Sequence, residues 1–179
     1  MMNFEPAAPE NFEEIRDFYW ALIEAMADKN DTIGWKKGVY PTDLFLRDSL
    51  KNQELFTLKD ESRQTLLGCV IVNSAWNEGY EGVPWSIVCR PEEILVPHAL
   101  AIAPHLQGQG LGQKLVQCIL QLAQEKGKHV VRLDILGTNK AAEALYTGMG
   151  FSFVQAKQMF YEDTGWTEYK MFERSVLET

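Results

Sequence analysis

Apolar residues recur along this chain at two different periods, and helical spacing marks the first two elements. Residues 9–11 are typical of a helix start, and the apolar positions after them fall on one helical face. These positions are Phe12, Ile15, Phe18, Tyr19, Leu22, Ile23 and Met26. Thr42 is suited to cap a second helix over residues 43–50. The spacing predicts that the first helix buries one face in the core.

Other stretches have the composition of strands. Residues 2–6 predict a short first strand, and residues 54–58 and 66–75 predict an antiparallel hairpin around a polar turn. Near the end of the chain, residues 152–161 and 168–173 predict two more strands joined by a turn. Helices interleave with the central strands, so the pattern predicts an α/β fold with a mixed, mostly antiparallel sheet.

A strand, a glycine-rich loop and a helix follow one another in the middle of the chain. The strand-like run around Leu100 and Ile102 stops at Pro104, and glycines alternate at positions 108, 110 and 112 before apolar residues resume helical spacing. The first turn of a helix has unpaired N–H groups and the positive end of the helix dipole, so this joint is suited to bind a phosphate. A simple left-handed turn between strand and helix is the alternative.

Two common phosphate-binding loops do not fit these glycines. The GxxxxGK[ST] loop requires a Lys-Ser or Lys-Thr pair, and none follows them. The GxGxxG fingerprint, started at Gly108, places Gln113 where its third glycine belongs. Its acidic residue would be Asp134, which falls inside a strand pattern instead of at a strand end.

The residues around the glycines match the pattern Q-x-x-G-x-G at Gln107, Gly110 and Gly112. After the helix come the strand VVRLDIL and the pattern N-x-x-A-x-x-x-Y-x-x-x-G-F, whose members are Asn139, Ala142, Tyr146, Gly150 and Phe151. In this order the motifs resemble the GCN5-related N-acetyltransferase (GNAT) family over residues 94–175. The resemblance implies the GNAT fold, with a central sheet splayed at the acetyl-CoA strand and flanked by about four helices.

The resemblance also implies where acetyl-CoA would bind as co-substrate. The glycine loop would wrap its pyrophosphate, and its pantetheine arm would add to the sheet edge through main-chain hydrogen bonds from Ala101 and Ile102. The loop residues are Gln107, Gly108, Gln109, Gly110, Leu111 and Gly112. Gln107 stands where many relatives have Arg, which leaves more of the binding to backbone amides. Asn139 would cap the helix that follows it, bond the cofactor's arm, or do both.

Acetyl transfer to an amine needs a neutral amine, a stabilised oxyanion and a proton for the departing thiolate. In the resembling family, a backbone N–H at or beside Ile102 would serve the oxyanion. The family uses a tyrosine hydroxyl as the acid at the position of Tyr146, and a free tyrosine is protonated at pH 7. An ordinary core role for Tyr146 is the alternative.

The sequence leaves the general base open. His98 stands where relatives often place Glu, and an imidazole there could take the ammonium proton directly or through water. Glu92 and Glu93 lie further up the same segment and are rivals. A buried structural role for His98 is the remaining alternative.

Aromatic residues concentrate in irregular segments that could build an acceptor pocket. Residues 31–41 carry Trp35 and Tyr40, for which packing under a loop is the alternative. The long insert at residues 76–91 carries further aromatic residues, which either line a pocket or anchor the loop. They are Trp76, Tyr80 and Trp85.

We predict an aromatic and acidic acceptor site that prefers cationic amines. Its aromatic candidates are Trp35, Tyr40, Trp85 and Trp166, the last within a predicted turn at residues 163–166. Its charge would come from Glu92, Glu93 or Asp163.

Length and charge narrow the function further. The 179 residues predict one domain, 1–179, and the net charge of −8 argues against nucleic acid as a partner. The same charge would attract a cationic small molecule, or only maintain solubility. The N-terminus does not resemble an export signal and no apolar stretch is long enough for a membrane span, so we expect a cytoplasmic protein without a membrane partner. Scattered cysteines and histidines predict reduced thiols and no metal.

Three functions remain. The first is an acetyl-CoA-dependent N-acetyltransferase that uses direct attack by a primary amine of a small molecule. The second is a protein acetyltransferase acting on an N-terminal or lysine amine. The third is a non-catalytic acyl-CoA-binding module that regulates a partner. Relatives in the resembling family commonly dimerise through C-terminal strands, which makes a homodimer a further expectation.

Overall fold

The computed structural model of this protein describes residues 2–27, 33–62 and 64–177, so residues 31 and 32 of the segment predicted to be irregular lie outside them. The strands are β1 (Met2–Pro6), β2 (Leu55–Asp60), β3 (Thr65–Asn73), β4 (Ile94–Ile102), β5 (Val130–Leu136), β6 (Ser152–Tyr161) and β7 (Gly165–Ser175). The helices are α1 (Phe12–Met26), α2 (Asp43–Lys51), α3 (Leu111–Glu125) and α4 (Lys140–Gly148).

The seven strands form one sheet in the order β1-β2-β3-β4-β5-β7-β6. The pair β4–β5 is parallel and the other pairs are antiparallel, which confirms the predicted mixed, mostly antiparallel α/β fold. The last strand begins earlier than predicted, because the hairpin closes at the pair Tyr161–Gly165 and Trp166 already lies in β7.

Helices cover both faces of the sheet. On one face α1 and α2 bury their apolar positions against β2, β3 and β4. Leu46, Leu50, Ile15 and Tyr19 are almost completely buried there, and burying one such aliphatic side chain contributes about 1.5–3 kcal/mol to stability. The hydroxyl of Thr42 accepts the backbone N–H of Phe45 at 3.0 Å, which confirms the predicted cap of α2.

On the other face, α3 packs against strands β2 to β5 and β7 through an apolar stripe. The stripe consists of Leu111, Leu115, Val116, Ile119 and Ala123. The side chains of Leu145 and Tyr146 on α4 join the same cluster. The glycine loop lies at the start of α3, and this packing therefore fixes its position at the carboxyl end of β4.

The sheet opens between β4 and β5. These strands pair only at Ile94–Val130 and Leu95–Val131. The next residue of β4 that faces β5 is Pro97, which has no N–H to donate. Beyond that point β4 continues along β3 alone, and a cleft separates it from β5.

The insert at residues 76–91 is anchored by a buried ion pair. Glu173 accepts the backbone N–H of Ser86 at 2.6 Å and pairs with Arg132 at 3.3 Å. Arg132 donates to the carbonyl of Ile87 at 2.5 Å, and its guanidinium lies 4.5 Å from the Trp85 ring centroid. The structure therefore gives Trp85 the role of a loop anchor, one of its two predicted roles.

Candidate active site

A cavity of about 710 Å³ fills the cleft between β4 and β5. Its walls come from β4, the glycine loop, β5, α4 and the segment around Trp35 and Tyr40. The cavity therefore connects the predicted cofactor loop to the predicted acceptor side. Within the described residues, no three His, Cys, Asp or Glu side chains cluster so that they could hold a metal ion.

The glycine loop presents open backbone to the cavity. Gly108 and Gly110 have φ values of 76° and 80°, in the left-handed region that favours glycine. A Cβ at either position would have no protein atom within 4 Å, so the space in front of the loop is free. At Gly112 a Cβ would meet the Leu145 side chain at 3.3 Å, so this glycine allows α3 and α4 to approach closely. The first turn of α3 begins at Leu111 with its N–H groups available to an anion.

The two glutamines of the loop differ in position. Gln107 lines the cavity, whereas Gln109 donates its side-chain N–H to the carbonyl of His105 at 3.3 Å and is not among the cavity residues. No Lys or Arg of the described residues lines the cavity. Backbone amides and the dipole of α3 are thus the groups at the loop that could attract an anion.

The register of β4 decides which of its peptide groups face the cleft. Ala103 donates its N–H to Leu67 on β3 at 2.9 Å, and antiparallel pairing alternates, so the peptide groups of Ala101 also point to β3. Those of Leu100 and Ile102 point into the cleft. Of the two residues predicted to offer main-chain groups to the cofactor, Ile102 therefore faces the cleft and Ala101 does not, and Leu100 faces it in place of Ala101. The cause is an extra residue at position 99, which shifts the alternation by one.

Tyr146 lies on α4 at the cavity wall. Its ring is buried and makes an edge contact with Phe151 at 5.3 Å between centroids. Burial raises the pKa of Tyr146 well above its ordinary value, so the phenol keeps its proton at neutral pH. Asn139 also lines the cavity and accepts the N–H of Ala142 at 3.0 Å, which is the predicted helix cap.

His98 lies on the cavity wall and is held by neighbouring side chains. Its Nε2 is 2.9 Å from Oδ1 of Asn73, and Asn73 donates its side-chain N–H to Glu54 at 3.3 Å. The amide oxygen can only accept, so Nε2 of His98 carries the proton. Burial lowers the pKa of His98 to about 4. The imidazole is therefore neutral at pH 7 and a weak base.

The structure does not bring Glu93 to the cavity. Its carboxylate accepts the backbone N–H of Arg90 at 2.7 Å and a guanidinium N–H of the same residue at 2.8 Å. The interaction with Arg90 holds the pKa of Glu93 below its ordinary value. Glu92 also pairs with Arg90, at 3.2 Å. The short helix before β4 turns both carboxylates toward Arg90 and away from the cleft, so the prediction of Glu93 as a base is corrected.

Asp134 is a cavity residue that the sequence analysis did not select. It lies on β5, where it accepts the hydroxyl of Tyr161 at 2.8 Å. Burial raises the pKa of Asp134 to about 6, against the opposing effect of hydrogen bonds from Tyr161 and Tyr80. The signal for it was a carboxylate in a mostly apolar strand beside the glycine-loop strand. A pKa near neutrality in a cleft is typical of a proton-transfer residue.

Aromatic rings surround the acceptor side. Trp35 and Tyr40 line the cavity, as predicted, and belong to a chain of ring contacts with centroid distances of 5.9 to 6.2 Å that ends at His98. Tyr80, one of the insert residues for which a pocket role was an alternative, also lines the cavity. Tyr161 and Tyr169 line it as well, and the sequence did not indicate either of them. Trp85 and Trp166 are not cavity residues. Trp166 is 73% exposed and its nearest ring partner is Phe160 at 5.9 Å, because β7 turns it outward.

The charge on the acceptor side is negative. Asp134 and Asp163 are the carboxylates that line the cavity, and burial raises the pKa of Asp163 above its ordinary value. Lys36 lies close enough to lower the pKa of Asp163, but its side chain is exposed and outside the cavity lining. The described residues therefore offer an incoming molecule two acids and no lining cation.

Comparisons with known proteins agree with this geometry. The model of the acetyltransferase (GNAT) family matches residues 12–151. The N-alpha-acetyltransferase RimI of Mycobacterium tuberculosis is 33% identical over 93 residues, which are 52% of this chain and 56% of that protein. The chain thus spans about half the length of the curated relatives it matches.

Two solved structures share the fold. A GNAT-family acetyltransferase from Streptococcus agalactiae has a TM-score of 0.79 and 17% identity, over 99% of this chain and 96% of that one. The protein yncA from Salmonella typhimurium, solved with its cofactor acetyl-CoA, has a TM-score of 0.71 and 18% identity, over 100% and 96% of the two chains. The family match covers more than half of the sequence, and this chain belongs to the acetyltransferase (GNAT) family.

Proposed function

We propose that this protein transfers an acetyl group from acetyl-CoA to the primary amine of a small molecule by direct attack. One observation carries the proposal: a single cavity joins an open glycine loop to a carboxylate with a pKa of about 6 and to a protonated tyrosine. The loop would hold the cofactor, the carboxylate would take a proton from the amine, and the tyrosine would give one to the departing thiolate.

The cofactor would occupy the loop side of the cavity. The N–H groups around Gly110 and Leu111 would hold the pyrophosphate, with the dipole of α3 as additional stabilisation. The pantetheine arm would lie along the free edge of β4 and bond the peptide groups of Leu100 and Ile102. The glycine loop has the shape for this group, because a Cβ at Gly110 would fill the space that a phosphate needs.

The proton transfers can be assigned to two side chains. The amine nitrogen forms a bond to the thioester carbon, and the N–H of Ile102 would stabilise the oxyanion. Before the attack, Asp134 takes one proton from the ammonium group, which leaves a neutral amine. As the C–S bond breaks, the Tyr146 hydroxyl gives its proton to the departing sulfur, and the second proton that the nitrogen loses restores the tyrosine hydroxyl. His98 is too weak a base for the first step at a pKa of about 4, and we propose that its unprotonated Nδ1 accepts a hydrogen bond in the acceptor pocket.

Replacing Tyr146 with Phe tests the assignment of the acid. The ring and its contact with Phe151 stay, and only the proton donor is removed. We expect kcat to fall about 10²-fold, which is the usual size of a general-acid contribution. The dissociation constant of acetyl-CoA should stay within about twofold of the wild type. Wild-type kcat in this variant, measured by CoA release, would assign Tyr146 to packing alone.

The acceptor side favours a cationic amine without a neighbouring carboxylate. Asp134 and Asp163 would repel an anion, and the described residues place no Lys or Arg in the lining that could hold one. The rings of Trp35 and Tyr40 suit an alkyl or aromatic body and, through cation–π contact, its ammonium group. The amine of a peptide N-terminus is the second candidate acceptor. The RimI relative is an N-alpha-acetyltransferase, and a peptide N-terminus also has no carboxylate next to its amine.

A matched series of acceptors separates these classes. Phenethylamine, phenylalaninamide and phenylalanine share a body and differ only in the group next to the amine. We expect kcat/KM to be at least about 10²-fold higher for phenethylamine than for phenylalanine, because an unpaired buried carboxylate costs several kcal/mol. Phenylalaninamide resembles a peptide N-terminus, so its kcat/KM measures how well the site accepts a peptide amine. A preference for phenylalanine would contradict the acidic acceptor site.

A further inference from the structure

Strand β4 contains one extra residue at the centre of the cleft. Cys69 is opposite Ala101 and Ile71 is opposite His98, so Val70 of β3 faces two residues of β4, Ala99 and Leu100. Ala99 has φ = 50°, a left-handed conformation that residues with a Cβ avoid. Such a bulge persists only when surrounding contacts hold it.

Tyr19 makes one contact that holds the carbonyl side of the bulge, while Tyr40 also interacts with the backbone of Ala99. The hydroxyl of Tyr19, on α1, donates to the carbonyl oxygen of Ala99 at 2.7 Å. Tyr19 has no exposed surface, and its ring contacts Trp35 with 6.0 Å between centroids. A buried carbonyl that leaves the β3–β4 ladder needs a donor, and this hydroxyl supplies one.

The bulge determines which amides face the thioester. Before it, the β4 residues facing β5 are Leu95 and Pro97, so regular alternation would next place Ala99 and Ala101 there. With the extra residue, Leu100 and Ile102 face the cleft instead. The oxyanion donor proposed above therefore depends on the bulge.

We propose that Tyr19 is a positioning residue for acetyl transfer: by holding the Ala99 carbonyl, it keeps the bulge and directs the amides of Leu100 and Ile102 into the cleft. The inference rests on the acetyl transfer proposed above but not on the identity of the acceptor amine. Tyr19 itself lies outside the cavity lining and acts through β4.

Tyr19→Phe removes the hydroxyl and keeps the ring. We expect kcat with phenethylamine to fall about tenfold, since a misplaced oxyanion donor loses part of the 10²- to 10³-fold effect of a complete one. The dissociation constant of CoA should change less than about twofold, because the glycine loop carries that affinity. Deuterium exchange provides a readout without an acceptor: acetyl-CoA should protect residues 98–102 in the wild type and protect them less in the variant.

Two further variants separate positioning from stability. Ile15→Val removes a buried methyl group one turn earlier on α1, and it should lower the melting temperature while leaving kcat and the exchange protection unchanged. Ala99→Gly favours the left-handed conformation without help from Tyr19. The double variant Tyr19→Phe/Ala99→Gly should therefore recover most of the lost kcat and protection, relative to Ala99→Gly alone.

The possible outcomes decide the proposal. Equal kcat and equal protection in Tyr19→Phe and Ile15→Val would overturn it and leave Tyr19 as a packing residue. If Tyr19→Phe does not fold, the test is the comparison of the double variant with Ala99→Gly alone. A kcat of the double variant at least tenfold below that of Ala99→Gly would contradict the proposal. If acetyl-CoA protects residues 98–102 of the wild type but no amine is acetylated, the proposed function is wrong. The comparison of exchange protection between the wild type and Tyr19→Phe then still tests the positioning role of Tyr19.

Discussion

Replacing Gly110 with Val should weaken acetyl-CoA binding by about 10³-fold. Valine is strained at φ = 80°, and its side chain would occupy the open space in front of the loop. Losing two charge-assisted hydrogen bonds to the pyrophosphate, at about 2 kcal/mol each, corresponds to about three powers of ten in the dissociation constant. Isothermal titration of both proteins with acetyl-CoA measures the difference.

Gly127 supplies a matched control for this variant. It also has a left-handed φ, 65°, with no atom within 4 Å of a Cβ, and it lies after the opposite end of α3. Gly127→Val should therefore lose similar stability and keep the wild-type affinity for acetyl-CoA. Equal affinities for Gly110→Val and the wild type would remove the glycine loop from the cofactor site.

Replacing Asp134 with Asn should lower kcat/KM about 10³-fold at pH 8, within the range of general-base contributions. The amide can still accept the Tyr161 hydroxyl, so the change removes charge and basicity more than shape. The direction of the pH dependence follows from the ionisation of Asp134. The carboxylate accepts a proton only when it is ionised, so wild-type kcat/KM should rise as pH increases through about 6. In Asp134→Asn this ionisation should be absent.

Glu93→Gln is the control for that experiment. Glu93 is a carboxylate of the same neighbourhood in the sequence, but it is bound to Arg90 outside the cavity. Its variant should keep the wild-type rate and pH profile. A retained ionisation near pH 6 in Asp134→Asn would move the role of base to another residue, with His98 the next cavity group to replace.

The glycine loop and Tyr146 were predicted from their match to the motifs of the resembling family, and these motifs lie close together in the sequence. The loop precedes an amphipathic helix and the tyrosine lies nearly two turns into the next helix, so short spacings position both beside the central strands. The cap by Asn139 and the positions of Gly108, Gly110 and Tyr146 follow from these spacings. Two predicted residues on the cofactor side differ in the structure: Gln109 lies outside the cavity, and the peptide groups of Ala101 point away from the cleft because of the bulge at Ala99, which has no sequence signature.

The acceptor side could not be predicted as well, because it is assembled from distant segments. Asp134, Tyr161 and Tyr80 meet only after the sheet has formed, and nothing in the local sequence of any one of them indicates the others. Trp85 looked like a pocket residue but packs on Arg132, since the buried pair of Arg132 with Glu173 holds its loop against the sheet. Ion pairs between distant segments, and the side of the sheet on which each strand residue lies, therefore determine the roles that motif spacing could not assign.

The most direct test of the central claim is the product of the wild-type reaction. The protein is incubated with acetyl-CoA and phenethylamine, and free thiol and the mass of the amine are followed together. The account predicts one N-acetylated amine for each CoA released, with the reaction faster at pH 8 than at pH 5 because Asp134 must be ionised. Tight binding of acetyl-CoA, with no acetylation of phenethylamine, phenylalaninamide or any other primary amine at either pH, would contradict it.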